Sequence, residues 1–316
     1  MPLPNDEKLL ALANDLLKQF DRIFGEHPGF RPAHAKGAML NGMFTPTAEA
    51  KSLSRAPHFC RESTPVTVRF SDSTGIPIIP DNDPNANPRG MAIRFHLGER
   101  VHTDIVSHST DGFPTHTGNE FLEMLTALAS SGPDVPSPKP IEVFLGGHPT
   151  ALAFVQTPKP APSSFARETY YGVTAMHFGN EKGATRYGRY RILPEAGNDH
   201  LDEAATAAKG PDYLFNELKE RIAEGEIKFR IAVQLAEAGD EVHNATVHWP
   251  EERQQLEIGT LVLAAPVPDD AQEQKHIIFD PIPRVDGIEP SEDPLLELRA
   301  AVYLISGRRR RAAPSA

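Results

Sequence analysis

Seven short segments rich in β-branched and aromatic residues, at 66–70, 91–95, 103–107, 170–178, 186–193, 228–235 and 259–263, follow one another with only two helical stretches between them. Parallel sheets need a crossover helix between successive strands, so this order excludes a βαβ alternation. Six to eight strands bounded by Pro, Gly, Asn and Asp predict an antiparallel barrel or sandwich with peripheral helices. Thirty prolines in 316 residues, roughly twice ordinary usage, imply long fixed loops. The interval 77–88, with five Asn or Asp residues among its prolines, is one of them.

Helical periodicity frames the strands. Leu9, Leu12, Ala13, Leu16, Leu17, Phe20, Ile23 and Phe24 recur at three- and four-residue spacing, which predicts an amphipathic helix over about 6–25 ended by Gly25 and Pro28. Further helices are expected at 119–128, at 213–223 and over about 293–305, the last capped by Asp293. The proline-rich stretch 135–162 reads as a connection inside one domain spanning 1–316. A formal net charge of -11 argues against a nucleic-acid partner. The apolar run 259–266 falls far short of a bilayer span. No signal-peptide pattern opens the chain and Cys60 has no partner for a disulfide, so a cytoplasmic protein is expected.

Three arrangements can carry chemistry. His34 lies on an irregular stretch, Arg31 to Gly37, where a histidine is more often structural than catalytic. In the strand around Arg69, alternation puts Val66, Val68 and Phe70 on one face and Thr67, Arg69 and Ser71 on the other. That polar face either meets an anionic ligand or is simply solvated. Arg299 and Tyr303 stand four apart and share a helix face. A guanidinium beside a phenol favours phenolate, a ligand for a hard metal such as ferric iron, and the alternative is a snorkelling arginine over a packed ring. No HExxH, CxxC, GxSxG, GxxxxGK[ST] or GxGxxG occurs, so zinc-site, hydrolase, P-loop and dinucleotide readings have no support.

The segments AHAKGAMLNGMF, TPVTVRFSDSTG, PRGMAIRF, DIVSHST, YYGVTAMHF with TRYGRYRILPEAG, and LLELRAAVYLISGRRRR resemble, in the same order, the haem catalase family. The short length is similar to its small-subunit, catalase-related peroxidase branch. The resemblance covers about 30–311 and implies an α+β fold, a closed antiparallel β-barrel of about eight strands with peripheral helices. It implies haem b as cofactor and reduction of hydrogen peroxide through a ferryl intermediate, completed by a second peroxide or an organic donor, as in an oxidative stress response. Organic hydroperoxides are further candidate substrates. His34 matches the distal histidine, Ser71 the serine bonded to it, and Tyr303 the iron ligand, with Arg299 beside it. Arg31, Arg69 and Arg310 match the arginines that hold the haem propionates, and Phe113 and Phe121 the phenylalanines beside the haem. The other arginines of the run 308–311 read as a solvated tail.

One position departs from the family. Its distal asparagine is replaced by His108, a side chain that titrates near neutrality, which shifts the expected balance from dismutation toward donor oxidation. Ala33 stands where allene oxide synthases carry threonine, against hydroperoxide dehydration. A homodimer is the expected assembly. The alternative to an enzyme is a barrel that binds haem or another hydrophobic ligand without turnover.

Overall fold

The computed structural model describes residues 3–314, and its strands close into a ring. Strands β1 (Gly37–Pro46), β2 (Thr64–Ser71), β3 (Gly90–Gly98) and β4 (Val101–His108) form an antiparallel meander. The short β5 (Tyr170–Tyr171) links β4 to β6 (Thr185–Pro194), which pairs with β7 (Ile227–Leu235). β7 pairs with β8 (Gln255–Pro266), and β8 returns to β1, so the eight-stranded barrel has no free edge among these strands.

Inward alternation fills the barrel with Leu40, Val68, Phe70, Ile93, Phe229, Ile231 and Leu261, all essentially water-free. Gly259 is small because the Phe44 ring occupies the space its Cβ would take. The outward face of β2 is also covered: Thr67, Arg69 and Ser71 are 8%, 4% and 4% exposed, which corrects the solvated-face reading. Arg69 is covered by the segment running on from β8, where it donates to Gln274 Oε1, while Thr67 is bonded to Asn41 and His96 and Ser71 lies against His34.

Outside the barrel, helix α1 (Glu7–Phe24) is capped by Asp6, whose carboxylate accepts from the amides of Lys8 and Leu9, and ends at Gly25 with φ +85°. Its Ala13, Leu16 and Leu17 pack with Leu125 of α2 (Gly118–Ala129) and with Leu298, Ala301 and Val302 of α5 (Leu295–Ala312). The chain also forms helix α3 (Tyr213–Glu224) and the short α4 (Asp270–His276). No helix among the described residues is long and apolar enough to cross a membrane.

Three local expectations need correction, and one strand was not among the expected seven. That strand is 37–46, where Gly37, Asn41 and Gly42 weaken the β pattern and Gly42 lies where the Val262 carbonyl crosses too closely for a side chain. The expected strand 170–178 is two strands, Tyr170–Tyr171 and Met176–Gly179, on the same partner β6, with two extra residues bulging out between them. The proline-rich connection contains helices Pro140–Gly147 and Pro149–Gln156, because each proline sits at the first helical position, where its missing N–H is no loss. Helix α5 runs seven residues past the expected end at 305 and absorbs the arginine run. Arg309 pairs with Asp21, Arg310 is buried, and Arg311 donates to the carbonyl of His276, so the solvated-tail reading is corrected for Arg309 and Arg311, while Arg308 is exposed.

Candidate functional site

Strand register assembles the first part of the site. Ser71 pairs with Gly90, Gly90 with His108, and His108 with Tyr171, so these residues form one row across four strands. Residues of one row point to the same face, here the outward face beneath the helices. Gly90 leaves a notch between Ser71 and His108, and the His34 ring fills it. A Cβ at Gly90 would stand 2.8 Å from His34 Nδ1 and would overlap Ser71 Oγ.

His34 reaches the notch from a left-handed backbone conformation, φ +56°, which costs a non-glycine residue free energy. That conformation is held by its amide on the Ser73 carbonyl and by the Ala35 amide on the Thr74 carbonyl, each at 2.9 Å. Nδ1 lies 3.0 Å from Ser71 Oγ. Burial, then the charges of Arg69, His108 and Arg31, push the imidazole down to about 3. It is therefore neutral at ordinary pH, with Nε2 left to exchange a proton.

His108 is also held neutral. Burial first, and then the charge of Arg299, lower it to about 4, which corrects the expectation that it titrates near neutrality. Its Nδ1 accepts the Thr110 amide at 3.3 Å, so the ring hydrogen resides on Nε2. A neutral Nε2–H donor is the function an asparagine amide would serve.

The floor under both histidines is pinned by a buried ion pair that sequence reading passed over. Arg89, immediately before Gly90, pairs with Asp72, immediately after Ser71, and both side chains are 0% exposed. The Arg89 amide donates to Ser109 Oγ and its carbonyl accepts the Ser109 amide, which ties the same residue to the neighbour of His108. Burial, and then the nearby Asp81, push the Asp72 carboxyl up to about 7 against the pull of Arg89. The alternating pattern of β2 ends at Ser71, so nothing in the sequence marked this pair.

A second group comprises Arg31, Arg69 and Arg310. Arg31 donates to the carbonyls of Gln274 and Ile277, Arg310 to Ile277 and Ser306 Oγ, and Arg69 to Gln274 Oε1 and the His34 carbonyl. None of the three makes an ion pair among the described residues, and Arg310 Nε has no partner. Burial and mutual repulsion hold Arg69 down to about 9, while burial and the charge of Arg311 hold Arg310 down to about 10. The three guanidiniums are hydrogen-bonded only to neutral oxygens, and the one carboxylate that acts on Arg31 and Arg69, Asp270, is a single negative charge against three, so the cluster still calls for an anion, because buried charge is stable only when paired. Two carboxylates of a haem fit that demand.

The third group lies on α5. Arg299 Nε donates to Tyr303 Oη at 3.3 Å, so the predicted four-residue pair is formed, and the guanidinium is aimed at the phenol oxygen rather than away into solvent. Tyr303 and Phe121 pack against the same cluster of α1, α2 and α5 side chains, and the Phe121 ring lies 5.0 Å from that of Phe113. Oxygen, cation and aromatic wall together suit an iron-bearing macrocycle between α5 and the barrel.

Comparisons with known proteins extend over most of the chain. A sequence model of the Catalase family matches residues 11–314. A catalase-related peroxidase of Synechococcus elongatus is 33% identical over 304 residues, covering 94% of this chain and 88% of the relative. One from Mycolicibacterium paratuberculosis is 32% identical over 285 residues, covering 89% of each. A fungal catalase structure superposes with a TM-score of 0.79 at 24% identity, covering 98% of this chain, which spans 64% of that protein's length.

Proposed function

The chain belongs to the catalase family and is a haem-dependent oxidoreductase acting on peroxide; we propose the following roles for its side chains. Tyr303 supplies the iron ligand through its phenol oxygen, with Arg299 donating to that oxygen. Arg31, Arg69 and Arg310 hold the propionates, a task suited to planar guanidinium forks. Phe113 and Phe121 form an apolar wall beside the ring. Haem b is the cofactor assigned here, and the single cysteine, Cys60, cannot supply the two thioether attachments of a c-type haem. Bound haem supplies the redox chemistry that the side chains lack.

The proton steps belong to the histidines. With Nδ1–H donated to Ser71 Oγ, the Nε2 lone pair of His34 takes a proton from one peroxide oxygen and returns it to the other, which leaves as water. Positioned acid–base assistance of this kind contributes on the order of 10²–10⁴ in rate. His108, through Nε2–H, holds the peroxide in line. Its neutrality removes the charge argument against dismutation, so a second peroxide and an organic donor both remain reductants. Donor oxidation is supported by two relatives that carry the name peroxidase.

The observation that carries this reading is the row Ser71–Gly90–His108 with His34 seated in its notch. The test is to load the purified protein with haemin, record the Soret band and follow it after hydrogen peroxide, beside His34→Ala. The wild type should show a band that shifts and recovers, whereas the variant should keep its haem and lose the response. A wild-type band indifferent to peroxide would restore the non-catalytic binding barrel.

A further inference from the structure

Beside the row that seats His34 lies a set of buried charges that the proton steps above do not use. Lys36 follows His34 by two residues, Asp72 follows Ser71 by one, and Arg89 precedes Gly90 by one, so the segments that build the distal row also deliver these charges. Asp81, from the loop 77–88, joins them. Arg89 pairs with Asp72 and donates to the Asp81 carbonyl, while Lys36 pairs with Asp81 and with Asp212, the residue before α3. Asp81 Oδ2 in turn accepts the Leu214 amide in the first turn of α3. Asp72, Asp81 and Arg89 are fully buried. Lys36 and Arg89 against Asp72 and Asp81 sum to zero charge, in an interior where any excess is costly.

One oxygen of this set has no partner. Asp72 Oδ2 is buried and receives no donor. Its neighbour is the Asp81 carboxyl, with which it shares a hydrogen only when one of the two is protonated. Burial, with the Asp81 charge added, pushes Asp72 up to about 7 against Arg89 and Lys36. The other groups around it differ. Tyr170 and Tyr213 are pushed up by burial and stay neutral, and Arg69 stays charged below about 9. Glu168 faces Arg89 and is tied to His200. His34 at about 3 and His108 at about 4 do not change charge near neutrality.

We propose that Asp72 is a positioning residue for His34: ionised, it balances Arg89 beside the imidazole, and its protonation slows proton uptake by His34. The proposal rests on the proton-carrying role given to His34 above. The backbone of Asp72 lies against the His34 ring, so its charge acts at short range. A proton on Asp72 leaves Lys36 and Arg89 against Asp81 alone, and the excess positive charge opposes the proton that Nε2 accepts. A unit charge about 10 Å away is worth roughly twofold at the dielectric of water and roughly fifteenfold at an effective dielectric of about 20.

The test is the rate of hydrogen peroxide turnover by the haem-loaded protein from pH 5.5 to 8.5, beside His34→Ala. The wild-type rate should fall on the acid side, with a midpoint near 7, to a plateau lower by a factor within that range. Asp72→Asn carries no charge at any pH and should run at the acid plateau throughout. Asp81→Asn removes the like charge and should move the midpoint to lower pH, which decides the matter if Asp72→Asn does not fold. A merely structural role would scale both plateaus and leave the midpoint in place. A flat wild-type profile, a limb that survives in Asp72→Asn, or a midpoint indifferent to Asp81→Asn would overturn the role of Asp72 and, with His34→Ala inactive, leave that of His34 standing. A His34→Ala protein that turns over peroxide like the wild type would overturn both.

Discussion

Gly90→Ala is the smallest change that tests the notch. Gly90 has no positive φ, so its backbone would accept alanine, and the substitution would ordinarily stabilise by about 0.4–1 kcal/mol through the unfolded state. The structure reverses that sign. The new methyl carbon would stand 2.8 Å from His34 Nδ1 and 3.0 Å from its Cε1, and would overlap Ser71 Oγ. The strand cannot yield, because Gly90 is paired to Ser71 on one side and to His108 on the other. Either Ser71 rotates away and the bond to His34 is lost, at about 1 kcal/mol, or the imidazole is displaced. Overpacking of this kind costs roughly 1–3 kcal/mol, and a misplacement of about 1 Å at a catalytic group costs on the order of 10²-fold in rate. Oxygen release, haem content and the urea midpoint would be measured beside Gly98→Ala, where the nearest atom to the new carbon is 3.9 Å away. The double variant Ser71→Ala, Gly90→Ala should recover part of the stability, since one of the two collisions is removed. A Gly90→Ala enzyme with wild-type rate and midpoint would refute the seating of His34 in that notch.

Three further outcomes are expected. Tyr303→Phe removes the proposed ligand oxygen and should lower haem occupancy after desalting, read as Soret against protein absorbance; full occupancy with an unaltered spectrum would contradict the ligand role. The buried His58, at 1% exposure, is lowered to about 3, chiefly by burial, alongside His34 at about 3 and His108 at about 4. Unfolding lets each take a proton near pH 6.5, so stability is complete above that pH and falls below it by about 1.4 kcal/mol per pH unit per histidine. His58→Phe, among the rings of Phe44, Phe59 and Phe95, should flatten the dependence of the urea midpoint between pH 6 and 4.5 by one histidine's share, and an unchanged slope would show that His58 is charged in the fold. Asp72→Ala strands the Arg89 charge in the interior and should destabilise by about 3–5 kcal/mol in chemical denaturation, whereas a loss under about 1 kcal/mol would mean that water reaches the guanidinium.

The two histidines illustrate why a substitution cannot be read from residue type. Replacing an asparagine by histidine introduces a titratable group on paper, yet burial and the charge of Arg299 keep His108 uncharged, and the Thr110 amide leaves its hydrogen on Nε2. The geometry leaves a neutral N–H donor at this position. The arginine run shows the converse. A basic chain end usually lies in water, but here docking on Asp21, Ile277 and His276 extends the helix and buries Arg310.

What the sequence determined by itself is what repeats over a few residues or is carried by order along the chain. The amphipathic stripe of α1, the alternation of β2 and the absence of crossover helices narrowed the fold to an antiparallel barrel or sandwich, and a four-residue spacing put Arg299 and Tyr303 on one helix face. The order of the motifs carried the family and, with it, the candidate residues. What only the tertiary structure decided is everything that depends on pairing between distant segments. The row from Ser71 through Gly90 to His108 is set by strand register, the anchoring of Arg31, Arg69 and Arg310 by the segment at Gln274 and Ile277, and the neutrality of both histidines by the sum of their surroundings. Periodicity is a property of neighbours in the chain, whereas register, burial and electrostatic potential are summed over neighbours in space.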